Sequence, residues 1–245
     1  MNRKSRDCPA TGFSSIFRPN ESYLMFHDRQ DAGQQLALKL SNLKLLEPLV
    51  LGIPRGGIVP AAVIADAIHA ELDVVLAHKL RSPLQPELAF GAVGEDGQVY
   101  LDRRTRESVG VTEAYLARER QTQVDEIHRR QLLFRSGKPA ASMSGRSIIL
   151  TDDGIATGAT MFAAIEVIKA QRPHELIVAV PVAPTSTLRR VERQCDLLIC
   201  LLAPAHFMAV GQFYEEFFPV NDQQVVDLLR RHHTPLPSGQ KESQA

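Results

Sequence analysis

Two neighbouring aspartates, Asp152 and Asp153, stand at the end of an apolar run in IILTDDGIATGAT (148–160). A turn of glycine, alanine and threonine follows them, and then a helical pattern begins. Such a stretch places two carboxylates and a ring of backbone N–H donors at the end of one strand. Carboxylates suit hydroxyls or a divalent metal, and N–H groups at a helix start suit a phosphate. A ligand carrying both a sugar diol and a phosphate would satisfy the whole segment. A second break, PRGG (54–57), also sits between an apolar run and a helical pattern, and a third element, HKLRSP (78–83), adds cations after another apolar run. Either glycine turn alone reads as an ordinary strand-to-helix connection. Two together, one with paired aspartates, point to a binding site.

The elements that must position these residues are legible from periodicity. Asp28 can cap a first helix whose Ala32, Leu36, Leu40 and Leu43 keep to one face. LVLGI (49–53) predicts a buried strand, and Ile58, Ala61, Ala62, Ala65 and Ile68 predict a helix straight after the PRGG turn. DVVLA (73–77) predicts the next strand. The segments 89–93 and 98–101 flank GEDG (94–97) and predict a hairpin. Residues 112–135 predict a long charged helix, capped by Thr112 and supported by Asp125–Arg129 and Glu126–Arg130 pairs, with a solvated face. Further strands are expected at 147–151, 176–181 and 196–201. Helices are expected after Thr160 (with Met161, Ala164, Ile165 and Ile168 inward), near 185–194, and at 221–231. Strands alternating with helices predict an α/β fold: a mostly parallel twisted sheet with helices on both faces. Residues 1–22 read as a flexible lead-in, 23–231 as the folded domain, and 232–245 as a flexible tail.

Bulk properties narrow the function classes. The chain has 245 residues, 28 Lys+Arg against 28 Asp+Glu, and a formal net charge of zero, so no global field favours nucleic acid or an anionic membrane. No apolar run approaches a membrane span. The first residues are basic without an apolar stretch and do not read as a secretory signal. Cys8, Cys195 and Cys200 are too few and too unevenly spaced for a disulfide framework or a zinc site, which fits reduced thiols in the cytoplasm. GIPRGG has the first spacing of a Walker A loop, but Ile58 and Val59 replace the required lysine and hydroxyl residue. GxGxxG, HExxH and GxSxG are absent.

IILTDDGIATGAT resembles the thirteen-residue signature of type I phosphoribosyltransferases, which use 5-phosphoribosyl-1-pyrophosphate (PRPP). Thr151 and Gly154 stand where that signature more often has apolar residues. The wider resemblance runs from FHDRQDAG (26–33) to QVVDLL (224–229) and is similar to bacterial phosphoribosyltransferase-domain proteins. It implies the type I fold with a small hood made by terminal segments, PRPP and Mg²⁺ as ligands, and a homodimer, while the neutral charge and the lack of a helix-turn-helix extension argue against a nucleic-acid partner and the lack of a long apolar run against a membrane. It implies that Asp152 and Asp153 meet the ribose hydroxyls, directly or through Mg²⁺, and that Ala156, Thr157, Gly158, Ala159 and Thr160 hold the 5′-phosphate. PRGG resembles the pyrophosphate loop, with Arg55 as a charge and Gly56 and Gly57 exposing N–H groups. The resemblance further implies a cis peptide between Pro54 and Arg55.

HKLRSP resembles an Arg-Lys element that reaches the pyrophosphate, with His78 in place of the arginine. Lys79 is the expected contact and Arg81 the second, while His78 reads as a polar packing residue before a catalytic one. PELAFGAV (86–93) falls where relatives carry a mobile loop; Glu87 there reads as a structural glutamate before an acid or base. PAHFMAVGQFYEEF (204–217) resembles the cover over the acceptor base, which makes Phe207, Phe213 and Tyr214 acceptor-pocket candidates, with core packing an equal explanation. Ala156 stands where hypoxanthine-type enzymes have an aspartate, and PVAPTST (181–187) lacks a purine-reading lysine, so no acceptor is named. The implied reaction is transfer of the phosphoribosyl group to a nitrogenous base with release of pyrophosphate. A PRPP-sensing regulator without turnover and a hydrolase of phosphoribosyl or nucleotide substrates are the alternatives.

Overall fold

The computed structural model describes residues 25–82, 89–101, 110–136 and 138–233. Its strands in chain order are β1 (Leu49–Gly52), β2 (Glu71–Val74), β3 (His78–Arg81), β4 (Ala89–Val93), β5 (Val99–Leu101), β6 (Ser147–Thr151), β7 (Glu175–Val182) and β8 (Leu197–Leu202). The helices are α1 (Arg29–Leu40), α2 (Ile58–Ile68), α3 (Glu113–Arg135), α4 (Ala159–Ala170), α5 (Thr185–Glu192) and α6 (Asp222–His233). Five strands form one parallel sheet in the order β2-β1-β6-β7-β8. β3, β4 and β5 form a separate antiparallel sheet.

Alternation along the parallel strands divides the core. Val50, Ile149, Ile177 and Ile199 share one apolar cluster with Leu36 of α1, Ile58 and Ile64 of α2, Ile127 of α3 and Val225 of α6. Leu49, Leu51, Ile148, Leu150, Val178 and Val180 belong to a second cluster with Met161 and Ile165 of α4 and Leu188 of α5. Both faces are therefore covered, as a parallel sheet requires. A third cluster joins Phe26 and Tyr214 to Val182 and Leu202, and backbone hydrogen bonds link Phe26 to Phe213 and Glu215. This ties the start of the described chain to the segment after β8, above the ends of β7 and β8.

Capping chemistry behaves as expected. Asp28 accepts from the N–H groups of Gln30 and Asp31, and Thr112 accepts from Tyr115 N. The Asp125–Arg129 pair does not form: Asp125 accepts from Gln121, while Glu126 receives both Arg129 and Arg130. Glu126 reaches both arginines because they lie three and four residues along the same helix face. The strand expected at 73–77 instead spans Glu71–Val74 and is followed by the separate β3. β3 exists because it pairs with β4, a contact between distant residues that local periodicity does not register. Leu43 falls beyond α1, and α6 continues to His233. The expected lead-in at 1–22, Glu87 and most of the expected tail lie outside the described residues. No helix among the described residues is long and apolar enough to cross a membrane.

Candidate active site

β1 and β6 are neighbours in the sheet, with Gly52 opposite Thr151. Their following loops, residues 53–57 and 152–158, therefore lie side by side. Asp153 N donates to Asp152 Oδ1 at 2.8 Å, which orients the first carboxylate with the backbone of the second. Arg29 Nε donates to Asp153 Oδ2 at 2.7 Å, and the Arg29 guanidinium lies 3.8 Å from the Phe217 ring centre. Tyr214 donates its hydroxyl to the Asp153 carbonyl at 2.6 Å. Burial pushes the Asp152 carboxyl well up from its ordinary value, and the charge of Asp153 pushes it further. Burial raises Asp153 as well and outweighs the opposing Arg29. The pair is held in a place that disfavours its negative charge.

The PRGG loop packs directly against this pair, and the Pro54–Arg55 peptide is cis, as the resemblance implies. A Cβ on Gly56 would sit 2.0 Å from Asp153 Oδ2, and one on Gly57 would sit 2.8 Å from Asp152 Cα. Side chains at 56 and 57 would thus displace the acid pair. The expectation that Gly57 exposes its N–H is corrected: that group donates to the Ile53 carbonyl at 3.0 Å, closing the turn. Arg55 stays at the rim, more than half exposed, with Nη1 3.8 Å from Asp222 Oδ1. Gly154 is explained by packing, because a Cβ there would meet Val210 at 2.6 Å.

The turn after the acid pair opens α4. Gly158 caps it with φ of 80°, a left-handed conformation that suits glycine, and a Cβ there would meet Phe162 at 2.7 Å. Thr187 of α5 donates to the Ala156 carbonyl at 2.9 Å and holds the turn from outside. Ala156, Thr157 and Thr160 are exposed and Ala159 is partly exposed. The first-turn amides of α4 lack carbonyls one turn back, which makes this end a receptor for an anion.

Beside the two loops lies a cleft of about 240 Å³, lined by Ile53, Pro54, His78, Lys79, Arg81, Gln123, Arg130 and Thr160 among others. Lys79 and Arg81 reach it from β3 and Arg130 from α3. The cations Lys79 and Arg81 therefore share the cleft with Thr160 of the phosphate turn and Pro54 of the PRGG loop, while Asp152 and Asp153 lie against that loop and are not among the residues lining the cleft. Gln123 and Arg130 were not foreseen, although their seven-residue spacing puts them on one helix face. Arg29 was not foreseen either, because its partner is 124 residues away. For Tyr214 the core-packing alternative fits: it is buried, its ring packs on Phe26 and Phe217, and its hydroxyl braces Asp153. Phe207 and Phe213 are partly exposed and stack on each other with ring centres 5.5 Å apart.

A sequence model of the phosphoribosyl transferase domain matches residues 21–215. The chain belongs to the phosphoribosyl transferase domain family. Two proteins of Mycobacterium tuberculosis strains, each carrying a provisional phosphoribosyl transferase name, are 41% identical over 209 residues. The match covers 85% of this chain and 47% of theirs, so the chain spans about half the length of these curated relatives. The crystal structure of TT1426 from Thermus thermophilus is 40% identical, superposes with a TM-score of 0.79, and is covered over 98% of its length by 84% of this chain.

Within a phosphoribosyl transferase domain, the donor set decides how Mg²⁺ could be held. Among the described residues no group of three or more His, Cys, Asp or Glu side chains could hold a metal ion. An ion caged wholly by protein is therefore not offered by these residues. Two adjacent carboxylates do fit an ion that takes its remaining ligands from water and substrate phosphate, the coordination Mg²⁺ favours.

Proposed function

We propose that this chain transfers the 5-phosphoribosyl group of PRPP to a nitrogenous-base acceptor and releases pyrophosphate. The observation that carries the reading is the side-by-side placement, at the adjoining ends of β1 and β6, of a partly buried acid pair and an exposed small-residue turn, with a cationic cleft bordering them through Pro54 and Thr160. Each fits one part of PRPP. The turn from Ala156 to Thr160 takes the 5′-phosphate. Asp152 and Asp153 take the ribose hydroxyls. Lys79, with Arg81 and the loop of Arg55 and Gly56, takes the diphosphate.

In the reaction the C1–O bond to pyrophosphate breaks, a C1–N bond forms, and the acceptor nitrogen loses a proton. Positive charge develops on the ribose ring, and negative charge gathers on the departing diphosphate. The cleft cations stabilise the latter, and the partly buried acid pair faces the former. The two loops position the reactants by binding both ends of the donor. Asp152 and Asp153 are the residues that would hold Mg²⁺, which when bound neutralises diphosphate charge. The stacked Phe207 and Phe213 are the candidate neighbours of a planar acceptor. A cytoplasmic role in nucleotide salvage, as a homodimer, accords with this chemistry.

The test is pyrophosphate release from PRPP and Mg²⁺ across purine, pyrimidine and aromatic-acid acceptors, with a no-acceptor control. Acceptor-dependent release that disappears in the Asp152→Asn, Asp153→Asn double variant is expected. Release without acceptor would assign hydrolysis instead, and PRPP binding without release would assign sensing. An unchanged rate in the double variant would place the site elsewhere.

A further inference from the structure

One side chain in the cleft has its protonation wired to its neighbours. His78 Nδ1 lies 2.8 Å from Gln123 Oε1. At the other end of that amide, Gln123 Nε2 donates to Glu119 Oε1 at 3.2 Å. A carboxylate only accepts, so Gln123 turns its carbonyl oxygen toward the ring. Glu119 also accepts from the backbone N–H of Arg81, which anchors the relay to the strand carrying His78. Nδ1 therefore carries a hydrogen, and Nε2 is the atom that gains or loses a proton.

The charged groups around the ring are Lys79 and Arg81 on β3 and Glu119, Glu126 and Arg130 on α3. Thr160 of α4, Pro54 of the loop after β1, and the cross-strand partner Val93 bring no charge. Burial lowers the affinity of His78 for a proton, Arg130 and Arg81 lower it further, and the Gln123 hydrogen bond and Glu126 oppose them. The ring is therefore neutral at pH 7 while the cleft is empty. A polyanion seated among Lys79, Arg81 and Arg130 offsets the arginine charges and offers an acceptor to a protonated Nε2, which reverses the balance.

We propose that His78 is a proton-linked contact to the diphosphate end of the ligand: a polyphosphate entering the cleft brings one proton onto Nε2, and its departure returns that proton to solvent. A permanent cation would grip the ligand equally across this pH range. This relay makes the grip firmer as pH falls and product release easier as it rises. The inference rests on the reading that the diphosphate occupies this cleft.

Calorimetry of the full chain with inorganic pyrophosphate tests it, in two buffers of different ionisation heat, from about pH 6 to about pH 8. Wild type is expected to take up more protons than His78→Gln, by up to one per site. Its affinity relative to that variant should rise as pH falls, by at most about tenfold per pH unit for one proton. His78→Arg should keep tight binding at the upper end of the range with the proton count of His78→Gln, and it remains informative if the glutamine variant fails to fold. Using differences between proteins cancels the titration of pyrophosphate itself. Equal proton counts in all three proteins, with pyrophosphate still bound, overturn the role of His78 and leave the transferase reading standing. Failure of wild type to bind either pyrophosphate or PRPP overturns both.

Discussion

At the residue scale, the acid pair proposed to hold the ribose carries a cost in the free protein. Both carboxyls are raised above their ordinary value in the folded chain. The folded state therefore holds protons more tightly than the unfolded state across that window, and stability falls as pH rises from the ordinary carboxylate range through the raised folded values. Replacing Asp152 by asparagine removes one of the two repelling charges. The Asp152→Asn variant is expected to melt at a higher temperature than wild type at neutral pH, each kcal/mol gained appearing as about 2–4 °C for a chain of this size. The same variant should lose about a hundredfold or more in pyrophosphate release, since on the proposed mechanism it removes a charge facing the transition state. Thermal melts at acid and neutral pH check the first part: the gain should shrink as the pH drops and wild-type Asp152 takes up its proton.

At the element scale, the small antiparallel sheet matters because it carries Lys79, Arg81 and His78, and it is fastened by one buried arginine. Arg135, at the end of α3, is 5% exposed and donates from Nε to Asp73 Oδ1 at 2.8 Å. Its other nitrogens reach the Val74 carbonyl and Glu95 in the β4–β5 turn. Glu95 also accepts from Leu76 N and from Gln131, and Asp73 accepts from Ala141 N. Parallel sheet, hairpin and long helix are thus joined at one guanidinium, whose proton these carboxylates hold more tightly than usual despite its burial. Arg135→Met leaves Asp73 and Glu95 without their cation and should cost about 3–5 kcal/mol, read as a lower urea midpoint. Where enough protein stays folded, KM for PRPP should rise more than kcat falls, because the lost fastening loosens the wall of the cleft and spares the acid pair.

At the scale of the whole molecule, a proposed ligand that bridges β1, β3, β6 and α4 should stabilise all of them together. PRPP with Mg²⁺ at a hundred times its dissociation constant is expected to add about 2.7 kcal/mol to the unfolding free energy. Thermal melts over a PRPP series measure this. A melt that ignores PRPP while the Asp152→Asn variant still gains stability would separate the electrostatics of the pair from any role in binding.

Short continuous apolar runs, helical spacing of apolar residues, the Asp28 and Thr112 caps, and the two glycine turns were sufficient to define the alternating α/β plan and to mark Asp152, Asp153 and the turn from Ala156 to Thr160. These are local signals, carried by residues within one or two turns of one another. Arg29, Gln123, Arg130 and the bracing role of Tyr214 depended on which distant segments pack together. So did β3, whose hydrogen bonds come from β4, and the loss of the Gly57 amide to Ile53. The chain therefore marked the residues able to do chemistry. Tertiary packing decided which cations and braces surround them, because an ion pair such as Arg29–Asp153 leaves no periodicity along the backbone to be read.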